Sequence, residues 1–255
     1  MELDLSILLI LAAVSLLAGF IDTLAGGGGL LTLPALMLAG LSPVQALATN
    51  KLQGTFGSGM AAFTLWRRRR FRIADVRRAF LASLIGSALG TILVQVMHTD
   101  ILEILVPVVL VIIALYFLFS KGAGQVERAP RVSDKTYERA LVPGIGFYDG
   151  FFGPGTGSFF ALVEVALRGR DLITATARAK ALNFASNIAS LALFIAGGKV
   201  LWATGAVMVA GQLLGARLGA HAVIGGGARL IRPLIVVVCV AMLARYLVTT
   251  LGSGA

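Results

Sequence analysis

The chain has 255 residues, 58% of them apolar and 13% charged, with a mean hydropathy of +0.91. A soluble domain carries about 25% charged residues, so the composition excludes a disordered chain and an ordinary soluble enzyme. The net charge of +10 sits in short clusters between long uncharged runs; that excludes a nucleic-acid-binding face and fits a multi-pass membrane protein with basic cytoplasmic loops. The single cysteine, Cys239, lies in an apolar run, so no internal disulfide or thiolate metal site is expected.

A helix needs about 20 apolar residues to cross the hydrocarbon. In chain order, residues 5–21, 79–97, 104–119, 181–198 and 200–216 come close to that length. Residues 52–66 join them once Lys51 and its predecessors are included, and residues 233–251 once Arg245 is accepted near an end. Residues 28–40 and 158–167 are too short to span, at about 1.5 Å per residue. Residues 140–152 are short too, and Pro143, Gly144 and Gly146 argue against a straight helix there. The first four residues, Met1, Glu2, Leu3 and Asp4, lack the positive start of a secretory signal, so the first run is expected to be retained.

The chain reads as a duplication. Gly19, Phe20, Ile21 and Asp22 reappear as Gly146, Phe147, Tyr148 and Asp149, and Gly26 and Gly28 as Gly153 and Gly155. With two residues inserted, Lys51 falls on Lys180, Gly86 on Gly215 and Gly90 on Gly219. The expected fold is therefore all-α and polytopic, with two repeats, residues 1–120 and 140–255, joined by a cytoplasmic linker, 121–139. The basic clusters at 66–78, 120–139, 168–170 and 217–232 go inside, while 40–43, 98–103 and 197–199 go outside. The equivalent loops 66–78 and 197–199 thus fall on opposite faces. That makes the repeats inverted, with about five helical elements each and both termini outside. Glycine-led broken or re-entrant helices in inverted repeats are a transporter architecture, with the site near mid-membrane.

Residues able to hold a ligand cluster at these equivalent places. The glycine run, Gly26, Gly27, Gly28 and Gly29, and its counterpart, Gly153, Pro154, Gly155, Thr156 and Gly157, each precede a short apolar helix. Their amides are expected to face a ligand, because helix starts attract anions; close helix packing is the alternative. Lys51 and Lys180 sit roughly 12–14 Å into their helices. A lone lysine at that depth costs at least about 2.5–3.5 kcal/mol, so each needs a polar cavity or a partner. Brought together from opposite faces with the two helix starts, the lysines are expected to form a positive pocket suited to an anion; structural pairing with Asp22 or Asp149 is the alternative. Asn50, Gln53 and Ser58 flank Lys51, and Asn183 and Asn187 follow Lys180 on its face. Asp22 and Asp149 can cap the following turn, balance the lysines or carry a coupling proton, and Glu164 is a further candidate for coupling or charge balance. No catalytic triad, metal-ligand spacing or nucleotide-binding loop is seen, so no enzyme, metal or cofactor is expected.

The order Gly19 to Pro34, then Gly40, Leu41, Ser42 and Pro43, then Ala46 to Asn50, resembles the sulfite exporter TauE/SafE family. The region from Gly146 to Gly157 and the Lys180 helix resembles the family's second copy, although Pro154 and Thr156 interrupt its glycines. The resemblance implies a bacterial-type inner-membrane transporter of small sulfur-containing anions, such as sulfite or organosulfonates. The residues themselves leave two further readings open: a passive anion channel and a membrane-embedded enzyme. A small anionic solute and membrane lipid are the expected partners, nucleic acid is not, and a homodimer stays open.

Overall fold

The computed structural model describes residues 4–96 and 128–225, together with Pro233. The expected spans at 104–119 and 233–251, the loop at 98–103, Cys239, Arg229 and Arg232 lie outside the described residues. Among the described residues all regular structure is helical. The first half contains α1 (Leu5–Ala25), α2 (Gly29–Leu38), α3 (Pro43–Arg67) and α4 (Ile73–Val94). The second contains α5 (Val142–Phe151), α6 (Thr156–Ala166), α7 (Leu172–Ala196) and α8 (Trp202–Gly225). Four of these, α1, α4, α7 and α8, are long and apolar enough to cross a membrane. They turn large apolar side chains outward at helical spacing: Leu81, Ile85, Leu89 and Ile92 on α4, and Leu214 and Leu218 on α8. Such a stripe needs a lipid neighbour rather than water.

The start of the second half differs from the sequence expectation. A short turn, Asp134–Thr136, and a π-helical turn, Tyr137–Leu141, run without interruption into α5. Pro143 lies inside this continuous run, where its missing N–H would ordinarily cost a backbone bond. The wider π turn just before it shifts the bonding register around the ring. Gly146 and Gly150 then serve packing, as described below, and not helix breaking.

The two short apolar helices do follow breaks. α1 stops at Gly26, which takes φ +80°, and α2 starts three residues later. α5 stops before Gly153 and Gly155, at φ +100° and +81°, and α6 follows. Left-handed backbone of this kind suits glycine alone.

Apolar clusters lie at both ends of the bundle. One gathers Leu24, Leu65, Phe159, Leu172 and Val223. The other gathers Leu11, Leu36, Leu47, Val94, Phe194 and Met208. α3 enters at the second cluster through Leu47 and leaves at the first through Leu65. α7 does the reverse, from Leu172 to Phe194. The sequence-matched helices α3 and α7 therefore run antiparallel. They pack on each other through the centre of the molecule, with α4 against α5 and α7.

Candidate functional site

The two central helices are started by side-chain caps. Ser42 accepts the N–H of Gln45 and the Gln45 side chain bonds back, a reciprocal cap on α3. Asp171 accepts the N–H groups of Ile173 and Thr174 at 3.0 Å to start α7. Lys51 and Lys180 each lie nine residues beyond their cap, about 13 Å along the axis. Both are 1% exposed.

Each lysine reaches across to the aspartate of the other half. The Lys51 ammonium lies 2.9 Å from Asp149 Oδ1 and donates to the Asp149 carbonyl at 2.5 Å. The Lys180 ammonium donates to Asp22 Oδ2 at 2.8 Å. Asp22 and Asp149 stand on the last turns of α1 and α5, just before the breaks. The other Asp22 oxygen accepts the N–H of Gly28 at 3.2 Å, which fastens the glycine turn to its own helix. The sequence pointed to a positive pocket. The structure supplies one counter-ion per lysine, so the four side chains together carry no net charge.

The glycine runs bring backbone against backbone between these pairs. A Cβ on Gly157 would stand 2.6 Å from Gly26 Cα and 3.0 Å from Lys180 Nζ, and one on Gly153 would stand 3.0 Å from Lys51 Nζ. A larger residue at either place would push the ammonium off its partner. Most early amides of the short helices are already bonded locally. Leu30 and Leu31 donate to Gly27 and Gly28, and Thr156 and Ser158 to Gly153 and Gly155. The helix starts are thus largely self-satisfied and are not rows of free donors.

A small polar pocket of about 30 Å³ lies at this crossing. Asn50 and Gln53 line it from α3, Asn183 and Asn187 from α7, with Asp22, Asp149 and Lys51 beside them. Gly29, Gly155 and Gly157 form part of its wall. Lys180 stands behind Gly157 and joins the pocket through Asp22. One wall is a closed network: Thr32 and Asn50 meet at 2.5 Å, and the Gln53 amide donates to Asn50 Oδ1 at 2.7 Å and to Thr32 at 3.2 Å. Three buried oxygens around the pocket have no donor among the described residues: Asp149 Oδ2, Gln53 Oε1 and Gln212 Oε1.

Other expected site residues point elsewhere. Ser58 donates to the Gly54 carbonyl at 2.6 Å, and Thr156 to Gly153 at 2.7 Å, so both brace backbone. Gly27 and Gly28 form the turn without lining the pocket. Glu164 is fully buried in a separate cluster. Its Oε1 accepts from Arg178 at 2.7 Å and from the Tyr137 hydroxyl at 2.5 Å, and Arg170 lies 3.4 Å from Oε2. It balances arginines and not the lysines. Gly26 and Gly153, the first residues of the two glycine runs, also line the pocket, and sequence reasoning missed Gln212 and Gly54 there. Gln212 carried a signal, an amide ten residues into the 24-residue apolar helix α8, and intramembrane amides seek partners.

A polar, charge-paired pocket inside an apolar bundle is the furniture of a solute carrier, and comparison with known proteins agrees. The model of the sulfite exporter TauE/SafE family matches residues 11–246. The "Probable membrane transporter protein YfcA" of Escherichia coli (strain K12) is 49% identical over 246 residues, covering 96% of this chain and 91% of its own. The "Probable membrane transporter protein ORF9" of a Sinorhizobium species is 44% identical, over 96% of this chain and 94% of its own. A "Probable membrane transporter protein" of Haemophilus influenzae is also 44% identical, over 96% of each chain. No solved structure matches. The matched region runs through both glycine breaks and both lysine helices, and the chain belongs to the sulfite exporter TauE/SafE family of membrane transporters.

Proposed function

We propose that this membrane transporter is a secondary carrier, an exporter or permease, for small sulfur-containing anions such as sulfite or organosulfonates. It works in a bacterial-type inner membrane by alternating access. One observation carries the reading: two lysine–aspartate pairs, crossed between antiparallel helices of equal depth, meet at one polar pocket, with Lys51, Asp149 and Asp22 in its lining and Lys180 behind Gly157. The family's description supplies the anion class, and two ammonium groups supply the charge that an oxyanion needs.

The reciprocal contacts support two inverted repeats. α3 and α7 run in opposite senses, and so do α1 and α5. Each lysine uses the other half's aspartate. Halves related in this way have two packings of similar energy, one open to each side, so rocking between them exposes the site alternately. The apolar clusters that close the bundle on both sides of the pocket favour a carrier over a continuous pore. The pocket is tight, so an anion enters only as the halves part and a lysine turns from its aspartate.

Flux of sulfite and methanesulfonate into proteoliposomes tests this, with chloride and sulfate as comparisons. The wild type is expected to move the sulfur anions. Lys51→Ala/Lys180→Ala, folded by size exclusion, is expected to lose at least about tenfold, the effect of removing about 1.4 kcal/mol of binding. Undiminished flux in that variant would remove the proposed site.

A further inference from the structure

We infer that Asp149, and not its counterpart Asp22, carries a proton along with the anion, one proton for each monovalent anion. This rests on the carrier reading above and goes on to name its coupling.

The two aspartates match in sequence and differ in surroundings. Both Asp22 oxygens are occupied, one by the Gly28 N–H and one by Lys180, and the side chain is 15% exposed. Asp149 is 2% exposed, and only its Oδ1 meets Lys51. Its Oδ2 is buried at the pocket wall with no donor among the described residues. A buried carboxylate oxygen without a donor is costly as an anion and gains a hydroxyl when protonated. The neighbouring charges are Lys51 on α3 and the Lys180–Asp22 pair from α7 and α1. α4, packed along α5, presents Ser83, Ser87 and Thr91 there and no charge. Tyr148, next in the chain, donates its hydroxyl to the Pro154 carbonyl at 2.7 Å.

The charge balance sets the stoichiometry. Two lysines and two aspartates sum to zero. A proton added to Asp149 Oδ2 makes the site +1; Lys51 keeps its proton and its bond to the Asp149 carbonyl, while its ion pair becomes a neutral contact. Lys51 is then free to take a monovalent anion, and the loaded site is neutral again. Empty and doubly loaded sites cross the low-dielectric centre without net charge, whereas anion alone would leave −1 buried there. Proton and anion therefore promote each other's binding equally.

Two measurements decide it. In reconstituted membranes without substrate, infrared difference spectra between neutral and acid pH are expected to show a protonated carboxyl band. That band should survive in Asp22→Asn and vanish in both Asp149→Asn and Lys51→Met/Asp149→Asn, the double variant leaving no unpaired charge to unfold the protein. Loss of the band in Asp22→Asn with retention in the Asp149 variants would overturn the assignment, as would its absence from the wild type. The second measurement is binding of methanesulfonate, whose charge does not change with pH. Wild-type affinity should rise as pH falls, by up to about tenfold per pH unit, and Asp149→Asn should show a flat profile. A slope kept in Asp149→Asn would also sink it. If methanesulfonate fails to bind at any pH, the substrate reading fails, and the infrared arm still decides which aspartate holds the proton.

Discussion

A buried ammonium and a buried carboxylate are each unfavourable alone, and removing one partner leaves the other uncompensated, at about 3–5 kcal/mol. Lys51→Met is therefore expected to lower the unfolding temperature in detergent sharply, because Asp149, 2% exposed, is left without its counter-ion. Lys51→Met/Asp149→Asn should recover most of that loss, and a thermal-shift series on the two single variants and the double checks it. Glu164→Gln should cost stability for the same reason, by stranding the buried Arg178 guanidinium. It should do so without altering anion selectivity, since Glu164 lies outside the pocket lining. Flux ratios between sulfite and sulfate in the folded variant test the second half of that statement. The lysines' depth was legible in the sequence, because depth follows from counting residues past a cap. Their partners were not: Asp149 is 98 residues from Lys51 and Asp22 is 158 from Lys180.

Helix pairs in this bundle approach through glycine. Added Cβ atoms on Gly86 and Gly90 of α4 would stand 2.1 and 2.0 Å from the Pro143 and Phe147 carbonyls of α5. On Gly146 and Gly150 they would meet the Ser83 and Ser87 carbonyls in return. α8 meets α1 in the same way, with Gly211 and Gly215 against the Ala12 and Leu16 carbonyls. Small residues let such backbones touch, which is how helices associate where lipid removes the hydrophobic drive. Gly150→Val is expected to separate α4 from α5 and abolish a monodisperse peak on size exclusion. Gly144→Ala should be tolerated, because nothing among the described residues lies within 4 Å of its added carbon. The alignment of Gly86 with Gly215 and Gly90 with Gly219 was visible as a repeat. Its meaning, contact with the first helix of the opposite half, needed three dimensions. So did the division of labour on α7. Asn183 and Asn187 turn to the pocket, while Ser186 and Ser190 take up Ser87 and Thr91 of α4.

For the whole molecule, the proposed inversion places the arginine loop after α3 and the turn after α7 on opposite sides of the membrane. In a Cys239→Ala background, Lys199→Cys should react with an impermeant maleimide added to intact cells. Arg68→Cys, exposed at the end of α3, should react only once the cytoplasm is opened. Reaction of both from the same side would contradict the inverted arrangement. The seven arginines at 66–78, against the single lysine at 197–199, give the physical reason for the expected sides.

The amino-acid sequence alone determined the membrane setting, the short glycine-led helices and the mid-helix lysines. Each of these depends on composition, run length or spacing from a cap, quantities local to a stretch of chain. Tertiary structure decided which carboxylate neutralises which lysine, that Gln212 enters the site, that Glu164 leaves it for Arg178, and that the pocket is charge-balanced. A buried charge takes the counter-ion that packing brings within about 3 Å, and the crossing of antiparallel helices sets that distance.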